Sequence, residues 1–560
     1  MRRDLTALTA RTFDVVVIGG GIFGACAAWD AVLRGLSVAL VERGDFGGAT
    51  SANSLKMVHG GIRYLQHGDL ARVRESCAER SALLRIAPHL VQPLPIAIPT
   101  YGHGKHGKAL LAAGAWTYDL LTGDRNRGIG DRRRRIPWTR LLGREEVLSA
   151  FPGLQRTGLT GAVLFSDAQM YNPPRLVLAF VRSAVEAGAI AANYVEAAGL
   201  LQDGSRIVGI EAREREGEPF PIRARAVLNA TGPWAEHCLL DWLGRPLQRP
   251  SAYSRDVCFV IRRQSDSPCA LAVLGQTRDP DAVLARGTRH LFIAPWRDYS
   301  LIGVWHKVAT GRPDDVGLSE AERRAYLAEI NQAYAGLEIG AGDVLRWQAG
   351  LLPFGDNAPG ATHLSYGKRS LLIDHASEHG LEGLVTLIGI RYTMGRGDAA
   401  KAIDAIAGKL GHRGPRPRTE RIPVFGGATQ DFDAVVEDAV RADRFGLSET
   451  ILRAALHNYG SEFGRVRAYA EADPRLARPL PGSHVLAAEV RHAVREEMAA
   501  TLADVVFRRT DLATGEMPAS ATLAAVAELM ADELGWGRER TRQEVAAVVA
   551  LHPHSQPHAA

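Results

Sequence analysis

Three glycines near the N-terminus, Gly19, Gly21 and Gly24, have the spacing of a dinucleotide-binding turn, and the acidic residue Glu42 follows them. The first glycine of such a turn permits a tight bend, the second allows the backbone to approach a pyrophosphate, and the third allows a helix to pack against a strand. An acidic residue at the end of the next strand accepts hydrogen bonds from a ribose hydroxyl. These residues therefore predict a site for the adenine-dinucleotide part of NAD or FAD.

The elements that must position these residues follow one another in the expected order. Phe13–Ile18 reads FDVVVI, a β-branched run typical of a parallel strand that is buried on both faces. A helix is predicted over residues 25–34 and a second buried strand over residues 37–41, with Gly35 between them. The N-terminus of that helix would offer free N–H groups to an anion. A lone glycine motif is weak evidence, but strand, turn, helix, strand and acid in this order indicate a bound dinucleotide.

Two further segments favour FAD over NAD. Residues 43–65, directly after Glu42, form a polar, glycine-rich loop that leads towards a predicted active site. Residues 225–232 read RAVLNATG, which predicts a strand ending in a turn. Flavoproteins of the two-dinucleotide-binding type use a turn of this kind to return the chain to the cofactor, whereas proteins that bind NAD alone do not need it.

Four segments of the chain together resemble the FAD-dependent glycerol-3-phosphate dehydrogenase/oxidase family. They are residues 13–42, the stretch ATSANSLKMVHGGIRYLQ at 49–66, the stretch LNATGPWA at 228–235, and the helical stretch 489–515 with its Arg-Arg-Thr sequence. The resemblance covers nearly the whole chain. It implies FAD as the cofactor and the oxidation of sn-glycerol 3-phosphate to dihydroxyacetone phosphate, with electrons passed to quinone or oxygen.

The same resemblance implies an α/β fold with a discontinuous, Rossmann-like FAD-binding domain, an inserted antiparallel-sheet substrate domain and a C-terminal helical domain. Alternating strand patterns at 257–263, 291–296 and 301–305 fit the antiparallel sheet. Residues 383–410 predict a strand, a glycine turn and a helix that return the chain to the flavin, and helical periodicity dominates residues 431–551. We expect these bounds: FAD-binding domain 13–95, 160–235 and 350–412; substrate domain 96–159 and 236–349; helical domain 425–551.

Oxidation of a secondary alcohol by a flavin requires hydride transfer from carbon to flavin N5 and a base that accepts the hydroxyl proton. By resemblance, Arg63 and Tyr64 face the substrate, and Arg63 grips an anionic group. His59 is a candidate base, although packing or hydrogen bonding against the flavin fits its position as well. Arg391 would stabilise the anionic reduced flavin. The catalytic candidates are therefore His59, Arg63, Tyr64, His306 and Arg391.

The predicted cofactor-binding residues come from the same segments. They include two adjacent glycines at 60 and 61, which permit close approach of the backbone to the flavin ring, and the turn at 230–232. The full set is Gly19, Gly21, Gly24, Glu42, Arg43, Thr50, Ser51, His59, Gly60, Gly61, Ala230, Thr231, Gly232, Gly389, Arg391, Tyr392 and Thr393. No metal site is predicted, because no cysteine or histidine cluster has ligand spacing.

The substrate half of the sequence departs from the family pattern. Residues 254–257 read SRDV where the family has KGSH, and residues 302–306 read IGVWH where it has IGTTD. Residues 350–353 read GLLP in place of GVRP, whereas GIR at 389–391 replaces GGK and keeps the positive charge. A histidine and an arginine on the substrate side are thus replaced. Leucine cannot take over the phosphate contact of an arginine.

Two explanations of these departures stay open. Nearby side chains could compensate for the lost groups, and the candidates are Arg255, His306, Lys368 and Arg369. Alternatively, the same flavin chemistry could act on a different polar hydroxy or amino substrate, with or without a phosphate group.

Composition limits the partners and the location. The formal net charge is only +5 over 560 residues and the basic residues are dispersed, which argues against a nucleic-acid partner and disfavours an RNA-modifying or carrier-protein-binding flavoprotein. Five scattered cysteines suit a reducing cytoplasm. The N-terminal residues lack the apolar stretch of a secretory signal. The oligomeric state, including a homodimer, stays open.

One segment raises the question of a membrane surface. Residues 105–123 are apolar and plausibly amphipathic, and the four arginines 132–135 follow. Together they could contact an anionic bilayer on the inner face of the cell membrane, where a quinone is available; dehydrogenases of the family are peripheral membrane enzymes. The favoured interpretation is nevertheless a packed helix followed by a solvated basic loop.

Overall fold

The computed structural model describes residues 1–103, 107–244, 253–276, 289–309, 312–314, 316–353 and 370–552. Lys368 and Arg369, named above as substrate-side candidates, lie outside the described residues. The chain divides into two compact units. The first comprises Met1–Ala52, Asn172–Ser251 and Gly367–Val549, and the second comprises Asn53–Tyr171, Ala252–Tyr366 and Ala550–Ala560.

The strands, in chain order, are β1 Phe13–Ile18, β2 Val38–Glu42, β3 Met57–Val58, β4 Val91–Tyr101, β5 Arg140–Leu142, β6 Leu159–Met170, β7 Ile190–Asn193, β8 Val195–Asp203, β9 Arg206–Glu214, β10 Phe220–Asn229, β11 Tyr253–Arg262, β12 Ala270–Leu274, β13 His290–Trp296, β14 Tyr299–Ala309, β15 Val344–Pro353, β16 Leu371–Asp374 and β17 Leu384–Ile388. The α-helices are α1 Leu5–Thr9, α2 Ile22–Leu33, α3 Leu70–Ile86, α4 Lys108–Leu121, α5 Arg144–Ala150, α6 Pro173–Glu186, α7 Ala235–Leu243, α8 Glu320–Ala333, α9 His375–His379, α10 Gly395–Lys409, α11 Phe432–Arg441, α12 Glu449–Tyr459, α13 Phe463–Ala472, α14 Ala487–Glu497, α15 Leu502–Asp504, α16 Ser520–Leu534 and α17 Arg538–Leu551.

A mostly parallel sheet forms the centre of the first unit. β17, β10, β1, β2 and β7 run parallel in that order, and β16 pairs antiparallel with β17. Ile18 at the end of β1 pairs with Asn229 at the end of β10. The glycine turn and the turn at 230–232 therefore leave the sheet side by side, at the edge where parallel α/β sheets bind their ligands.

Helices α11 to α17 share one apolar core in the same unit, to which α12, α14 and α16 contribute Leu452, Val490 and Val526. Asp431 and Ser448 accept hydrogen bonds from the first turns of α11 and α12, and such caps mark where the helices begin. The predicted C-terminal helical domain is confirmed.

A mostly antiparallel sheet forms the second unit, in the order β15-β11-β14-β13-β12-β4-β6-β3, with β5 paired to β6. Val257 and Phe259 of β11 pack in the same core as Leu327 of α8. Cys258 and Val260, the alternating residues of β11, belong to a separate apolar cluster. This alternation is what the sequence pattern predicted for a sheet with two different faces.

The α/β fold class with an antiparallel-sheet portion and a C-terminal helical domain is confirmed. The boundaries of the two compact units differ from the predicted domain bounds, because residues 53–171 belong to the same unit as residues 252–366. The division into three domains at the bounds given above stays a prediction.

Candidate functional site

The glycine turn between β1 and α2 is packed so closely that side chains would not fit. Gly19 has a φ of +104°, which favours glycine, and a Cβ there would lie 2.6 Å from the carbonyl oxygen of Ala230. A Cβ on Gly24 would lie 1.9 Å from the carbonyl oxygen of Gly19. Gly21 is the extended N-cap residue of α2. The N–H groups of the first turn therefore have no partner within the helix and can face an anion.

Glu42 is held at the end of β2 by backbone donors. The N–H of Gly20 donates to Oε2 at 2.7 Å, and the N–H of Gly44 donates to Oε1 at 2.9 Å. Burial raises the pKa of Glu42, and these two donors counter only part of that rise. The next residue, Arg43, places its guanidinium 4.6 Å from the ring centroid of Trp234. The carboxyl group is thus fixed beside the glycine turn, and its contact with a ribose hydroxyl stays a prediction.

The loop after β2 returns to the start of α2. Ser51 Oγ accepts a hydrogen bond from the N–H of Ile22 at 3.1 Å, and its neighbour Thr50 is half-buried. A Cβ on Gly20 would lie 2.5 Å from the ring of Phe46, so this loop also packs against the glycine turn. The fold therefore brings Ser51 of this loop to the N-terminus of α2.

The turn after β10 reaches the same place. The N–H of Ala230 donates to the carbonyl oxygen of Ile18 at 2.9 Å. Asn229 Oδ1 accepts hydrogen bonds from the N–H and the hydroxyl of Thr231, at 3.2 and 2.7 Å. Gly232 has a φ of +60°, a conformation that glycine adopts without strain. All three predicted residues of this turn lie beside the glycine turn.

The segment between β17 and α10 also reaches this site. A Cβ on Gly389 would lie 1.8 Å from the ring of Phe23, so the segment passes directly against the start of α2. Arg391 precedes a short 3₁₀ turn in which Thr393 is buried. Tyr392 donates its hydroxyl to the carbonyl oxygen of the first residue of α6 at 3.0 Å, and burial raises its pKa far above the ordinary value.

Asp45, three residues after Glu42, was missed by the sequence analysis. Its carboxylate accepts hydrogen bonds from Arg508 Nε at 2.6 Å, from both Nη atoms of Arg509 at 2.7 Å and from Asn193 Nδ2 at 2.9 Å. The C-terminal helical domain therefore binds the loop after β2 directly. No local pattern predicts this contact, because the arginines are 463 and 464 residues away from Asp45.

The second unit holds the other predicted site residues, and all of them except His306 lie at the loop after β3. Gly61 has a φ of +84°. A Cβ on Gly60 would lie 2.1 Å from the hydroxyl oxygen of Tyr118 and 2.3 Å from Nη1 of Arg80. Glycine is therefore required at both positions by the packing of the protein itself, and the close approach of this backbone to a flavin stays a prediction. His59, directly before them, is half exposed, with 49% of its side chain accessible.

Arg63 and Tyr64 follow in a 3₁₀ turn, Ile62–His67, and both are half-buried. The guanidinium of Arg72 lies 4.8 Å from the ring centroid of Tyr64. This stacking fixes the tyrosine ring against α3. The two predicted substrate-facing residues therefore lie within five positions of His59 on one short, tightly turned segment.

Asp167 on β6 joins several of these residues, and sequence analysis did not identify it. Its Oδ1 accepts hydrogen bonds from the N–H of Gly60 and from Arg80 Nη1, both at 2.7 Å, and its Oδ2 lies 3.2 Å from His59 Nδ1. Burial by itself raises the pKa of Asp167, but His59, Arg80 and the Gly60 N–H together hold it below the ordinary value. The group is therefore a carboxylate at neutral pH.

His306 on β14 forms a second histidine–aspartate pair. Its Nδ1 lies 2.7 Å from Oδ1 of Asp256 on β11, which also accepts a hydrogen bond from the Ser254 hydroxyl at 2.6 Å. Arg255 points to the opposite face of the strand, where Nη2 lies 2.5 Å from Oε1 of Glu322. Arg255 is thus engaged in an ion pair and does not share a face with His306.

Lys56, three residues before His59, is another residue that sequence analysis missed. It is 2% exposed, with a φ of +60°. Its Nζ donates to the carbonyl oxygen of Ser54 at 2.9 Å and to Oε1 of Gln348, and it lies 4.8 Å from the ring centroid of Trp296. Burial lowers the pKa of Lys56 to about 7. Its signal in the sequence was only its place in the ATSANSLKMVHGG stretch.

Comparison with known proteins identifies the family. Residues 14–390 match the family described as FAD dependent oxidoreductase, and residues 417–541 match the C-terminal domain of alpha-glycerophosphate oxidase. A glycerol-3-phosphate dehydrogenase of Synechocystis sp. is 30% identical over 560 residues, which is 97% of this chain and 97% of that protein. The chain belongs to the FAD-dependent glycerol-3-phosphate dehydrogenase/oxidase family.

Other relatives are similar in sequence to this chain along most of their length. A glycerol-3-phosphate dehydrogenase of Mycobacterium leprae is 32% identical, over 95% of this chain and 87% of its own, and the mitochondrial enzyme of Bos taurus is 31% identical, over 97% and 73%. A solved glycerol-3-phosphate dehydrogenase of Bacillus halodurans, in complex with FAD, superposes with a TM-score of 0.74 at 24% identity, over 99% of this chain and 98% of its own. That structure supports the fold.

The cofactor of this family is FAD, and the first unit fits it. Three segments, the glycine turn, the loop after β2 and the turn at 230–232, meet at one edge of the parallel sheet, and they pack so closely that a Cβ at Gly19 or Gly24 would clash with the backbone. A fixed carboxyl group, Glu42, lies at the same edge. The predicted cofactor is confirmed. The assignments of individual residues to flavin binding and catalysis stay predictions.

Proposed function

We propose that the protein oxidises sn-glycerol 3-phosphate to dihydroxyacetone phosphate with FAD. The observation that carries the proposal is likeness along nearly the whole chain, C-terminal domain included, to proteins named glycerol-3-phosphate dehydrogenase. Bound FAD supplies the hydride acceptor. The protein has to bind the phosphate, orient the secondary alcohol and accept its proton.

His59 is the proposed proton acceptor. An imidazole changes its protonation near neutral pH, so it can take a hydroxyl proton and later release it to water. The half-exposed ring lies beside the buried carboxylate of Asp167, which stabilises the positive charge that the ring acquires.

Arg63 is the proposed phosphate ligand. It lies four residues after His59, and a guanidinium binds phosphate oxygens through two parallel hydrogen bonds. Replacement by methionine should raise KM for glycerol 3-phosphate while glycerol, which has no phosphate, is affected little. Arg74→Met is the matched control, because Arg74 lies on the surface in an exposed ion pair with Asp124.

A different substrate is the second candidate, and one observation favours it. In the sheet, Gly350 pairs with Asp256 and Leu352 pairs with Ser254. The family arginine that Leu352 replaces would therefore share a face with the His306–Asp256 pair. A carboxylate on this face suits an amino group better than a phosphate.

The two candidates are separated by adding substrates to the oxidised holoenzyme without oxygen. Loss of the oxidised flavin absorbance with sn-glycerol 3-phosphate, and not with its enantiomer, supports the first candidate. Unchanged absorbance at millimolar substrate excludes it. Reduction by small amino alcohols or amino acids would then support the second.

We also propose that the protein docks on the inner face of the cell membrane through α4, which would give it access to a quinone. Leu110, Trp116 and Leu120 of this helix are 45, 51 and 79% exposed, and Trp138 nearby is 62% exposed. The other exposed positions of this helix face, 109, 113, 114 and 117, carry no charge. An uncharged apolar face with aromatic residues is typical of helices that lie in a bilayer interface.

The basic residues after α4 contribute unequally to this surface. Arg132 and Arg133 are exposed and can contact anionic headgroups, whereas Arg134 is buried and donates from Nε to the carbonyl oxygen of Pro88 at 2.7 Å. Within the described ranges, no helix is long and apolar enough to cross a bilayer. The proposed attachment is therefore to one surface of the membrane.

Co-sedimentation with vesicles of anionic phospholipid tests this attachment. Trp116→Glu with Leu120→Glu should abolish binding and leave turnover with a soluble dye unchanged. Leu534→Glu, at a leucine that is 39% exposed on α16, should not change binding. Equal binding by all variants would exclude the α4 surface. The oligomeric state is a separate question. Light scattering of the same preparations would establish whether the protein is a homodimer.

A further inference from the structure

We propose that Asp167 is a positioning residue that sets the tautomer and orientation of His59, and that Arg80 and the Gly60 N–H hold Asp167 in place for this purpose. The inference rests on the proposed function, in which His59 accepts the substrate proton. In this proposal Asp167, which is 2% exposed, does not contact the substrate itself. It acts through the histidine ring.

The carboxylate of Asp167 is held rigidly. Asp167 is 2% exposed and Arg80 is 0% exposed, and Oδ1 accepts hydrogen bonds from Arg80 Nη1 and from the Gly60 N–H, both at 2.7 Å. Arg80 Nη1 also donates to the carbonyl oxygen of Ser166 at 3.1 Å. A carboxylate held by a buried guanidinium and a backbone donor has a single orientation.

The second carboxylate oxygen of Asp167 determines which nitrogen of His59 carries the proton. Oδ2 of Asp167 faces Nδ1 of His59 at 3.2 Å. A carboxylate only accepts hydrogen bonds, so the ring must carry its proton on Nδ1. The lone pair then lies on Nε2, the nitrogen that points away from Asp167. This tautomer is the one that can accept a proton at Nε2.

In the proposed catalytic cycle, His59 accepts the proton of the substrate hydroxyl group. The substrate O–H bond breaks and an N–H bond forms at Nε2, while the hydride from the adjacent C–H bond, with its electron pair, goes to FAD. The imidazolium is stabilised by the negative charge of Asp167. The proton is released to water after the product leaves.

The groups around this pair come from three elements. α3 contributes Arg80 and Cys77, whose Sγ lies 3.5 Å from Arg80 Nη2, and α4 contributes Tyr118, whose ring centroid lies 6.0 Å from the Arg80 guanidinium. β13 contributes Phe292, whose ring centroid lies 6.3 Å from that of His59. Burial raises the pKa of the Tyr118 phenol above its ordinary value, so the phenol stays neutral. Asp167 and Arg80 are thus two fixed charges of opposite sign beside His59.

The experiment measures flavin reduction by sn-glycerol 3-phosphate in rapid mixing without oxygen, with wild type, Asp167→Asn, His59→Gln and the double variant, each loaded with FAD. Asparagine presents either an N–H donor or a weaker acceptor to Nδ1 of His59. The proton of the neutral ring is then no longer confined to Nδ1. We expect Asp167→Asn to reduce the rate at saturating substrate by roughly a hundredfold or more, with little change in the substrate concentration for half saturation. The acid limb of its pH–rate profile should move to lower pH, because the imidazolium loses its anionic neighbour.

The double variant distinguishes a role of Asp167 in positioning His59 from a purely structural role. If Asp167 acts through His59, Asp167→Asn should have no further effect in the His59→Gln background. An equal loss in both backgrounds, or a wild-type rate in Asp167→Asn, overturns the proposal. Asp124→Asn, which breaks an exposed ion pair in the same unit, is the control and should keep the wild-type rate.

If Asp167→Asn does not retain FAD, Asp167→Glu keeps the charge for Arg80 but displaces the oxygen from Nδ1, and it should show the same loss of rate and the same non-additivity with His59→Gln. A wild-type flavin that sn-glycerol 3-phosphate does not reduce would contradict the proposed function. A reducible wild type with a fully active Asp167→Asn would contradict only the role of Asp167.

Discussion

Arg509 and Asp45 form a bidentate ion pair between the C-terminal helical domain and the loop after β2. Arg509 Nη1 lies 2.7 Å from Oδ2 and Nη2 lies 2.7 Å from Oδ1, and both side chains are 1% exposed. Burial raises the pKa of Asp45, but Arg509 and Arg508 outweigh it and hold the pKa far below the ordinary value. The same loop carries Ser51, which contacts the N-terminus of α2. The C-terminal domain therefore helps to shape the dinucleotide site.

Arg509→Met should weaken both the fold and FAD binding. Breaking a buried ion pair from one side leaves an uncompensated charge and costs about 3–5 kcal/mol. Thermal unfolding and FAD titration by flavin fluorescence measure the two effects. Arg441→Met, which breaks an exposed pair with Asp438, should cost about 0–1 kcal/mol and leave FAD affinity unchanged. Equal behaviour of the two variants would contradict the proposed link between domain and loop.

Glu42→Gln should weaken FAD binding about tenfold to a hundredfold. The two carboxylate oxygens accept hydrogen bonds from Gly20 and Gly44, and glutamine offers only one acceptor, so one buried N–H loses its partner at a cost of about 1–3 kcal/mol. Equilibrium titration of the apoprotein with FAD gives the affinity. Glu196→Gln, an exposed glutamate of the same unit, is the control. Wild-type affinity in Glu42→Gln would show that this carboxylate does not support the cofactor.

Gly24→Ala should prevent FAD binding and destabilise the first unit, because the new Cβ would lie 1.9 Å from the carbonyl oxygen of Gly19. Helix and strand cannot separate without moving the turn. The matched change Gly408→Ala, at a helical glycine of α10 with no atom within 4 Å of the new Cβ, should stabilise by about 0.5–1 kcal/mol. Urea unfolding and the flavin content of purified protein measure both. A flavin-loaded, stable Gly24→Ala protein would be the contrary result.

Glu489→Gln should change how stability depends on pH. Burial raises the pKa of Glu489 from 4.5 to about 8, and its Oε1 accepts a hydrogen bond from the N–H of Leu486 at 2.8 Å. Between these two pH values the folded state keeps a proton that the unfolded state loses, so the wild type loses stability as pH rises from 4.5 to 8. Glutamine does not titrate, so the variant should gain stability relative to the wild type across that window.

Urea unfolding below pH 4.5 and above pH 8 checks this prediction. The difference between variant and wild type should be small at the acid end and largest at the alkaline end. Glu528→Gln, at an exposed glutamate of the same domain, should parallel the wild type. A pH-independent difference for Glu489→Gln would contradict the assignment of a protonated carboxyl group at neutral pH.

The sequence by itself determined the cofactor end of the protein. Gly19, Gly24 and Glu42 were identified from spacing because the strand, turn, helix and strand that position them are consecutive in the chain. The turn at 230–232 could be assigned to the same site because its motif repeats a known local geometry. Local backbone requirements, such as the positive φ of Gly19, leave a direct mark on residue type.

The tertiary structure decided which side chains act together. Asp167 meets His59 across 108 residues, and Asp45 meets Arg509 across 464. An aspartate on a strand or in a loop is an ordinary residue until the fold removes water from it and supplies its partners. Such contacts form only because the sheets bring distant segments together, and no periodicity along the chain records them. The glycine turn could therefore be assigned from the sequence, whereas the carboxylates that hold His59 and the loop after β2 could be assigned only from the fold.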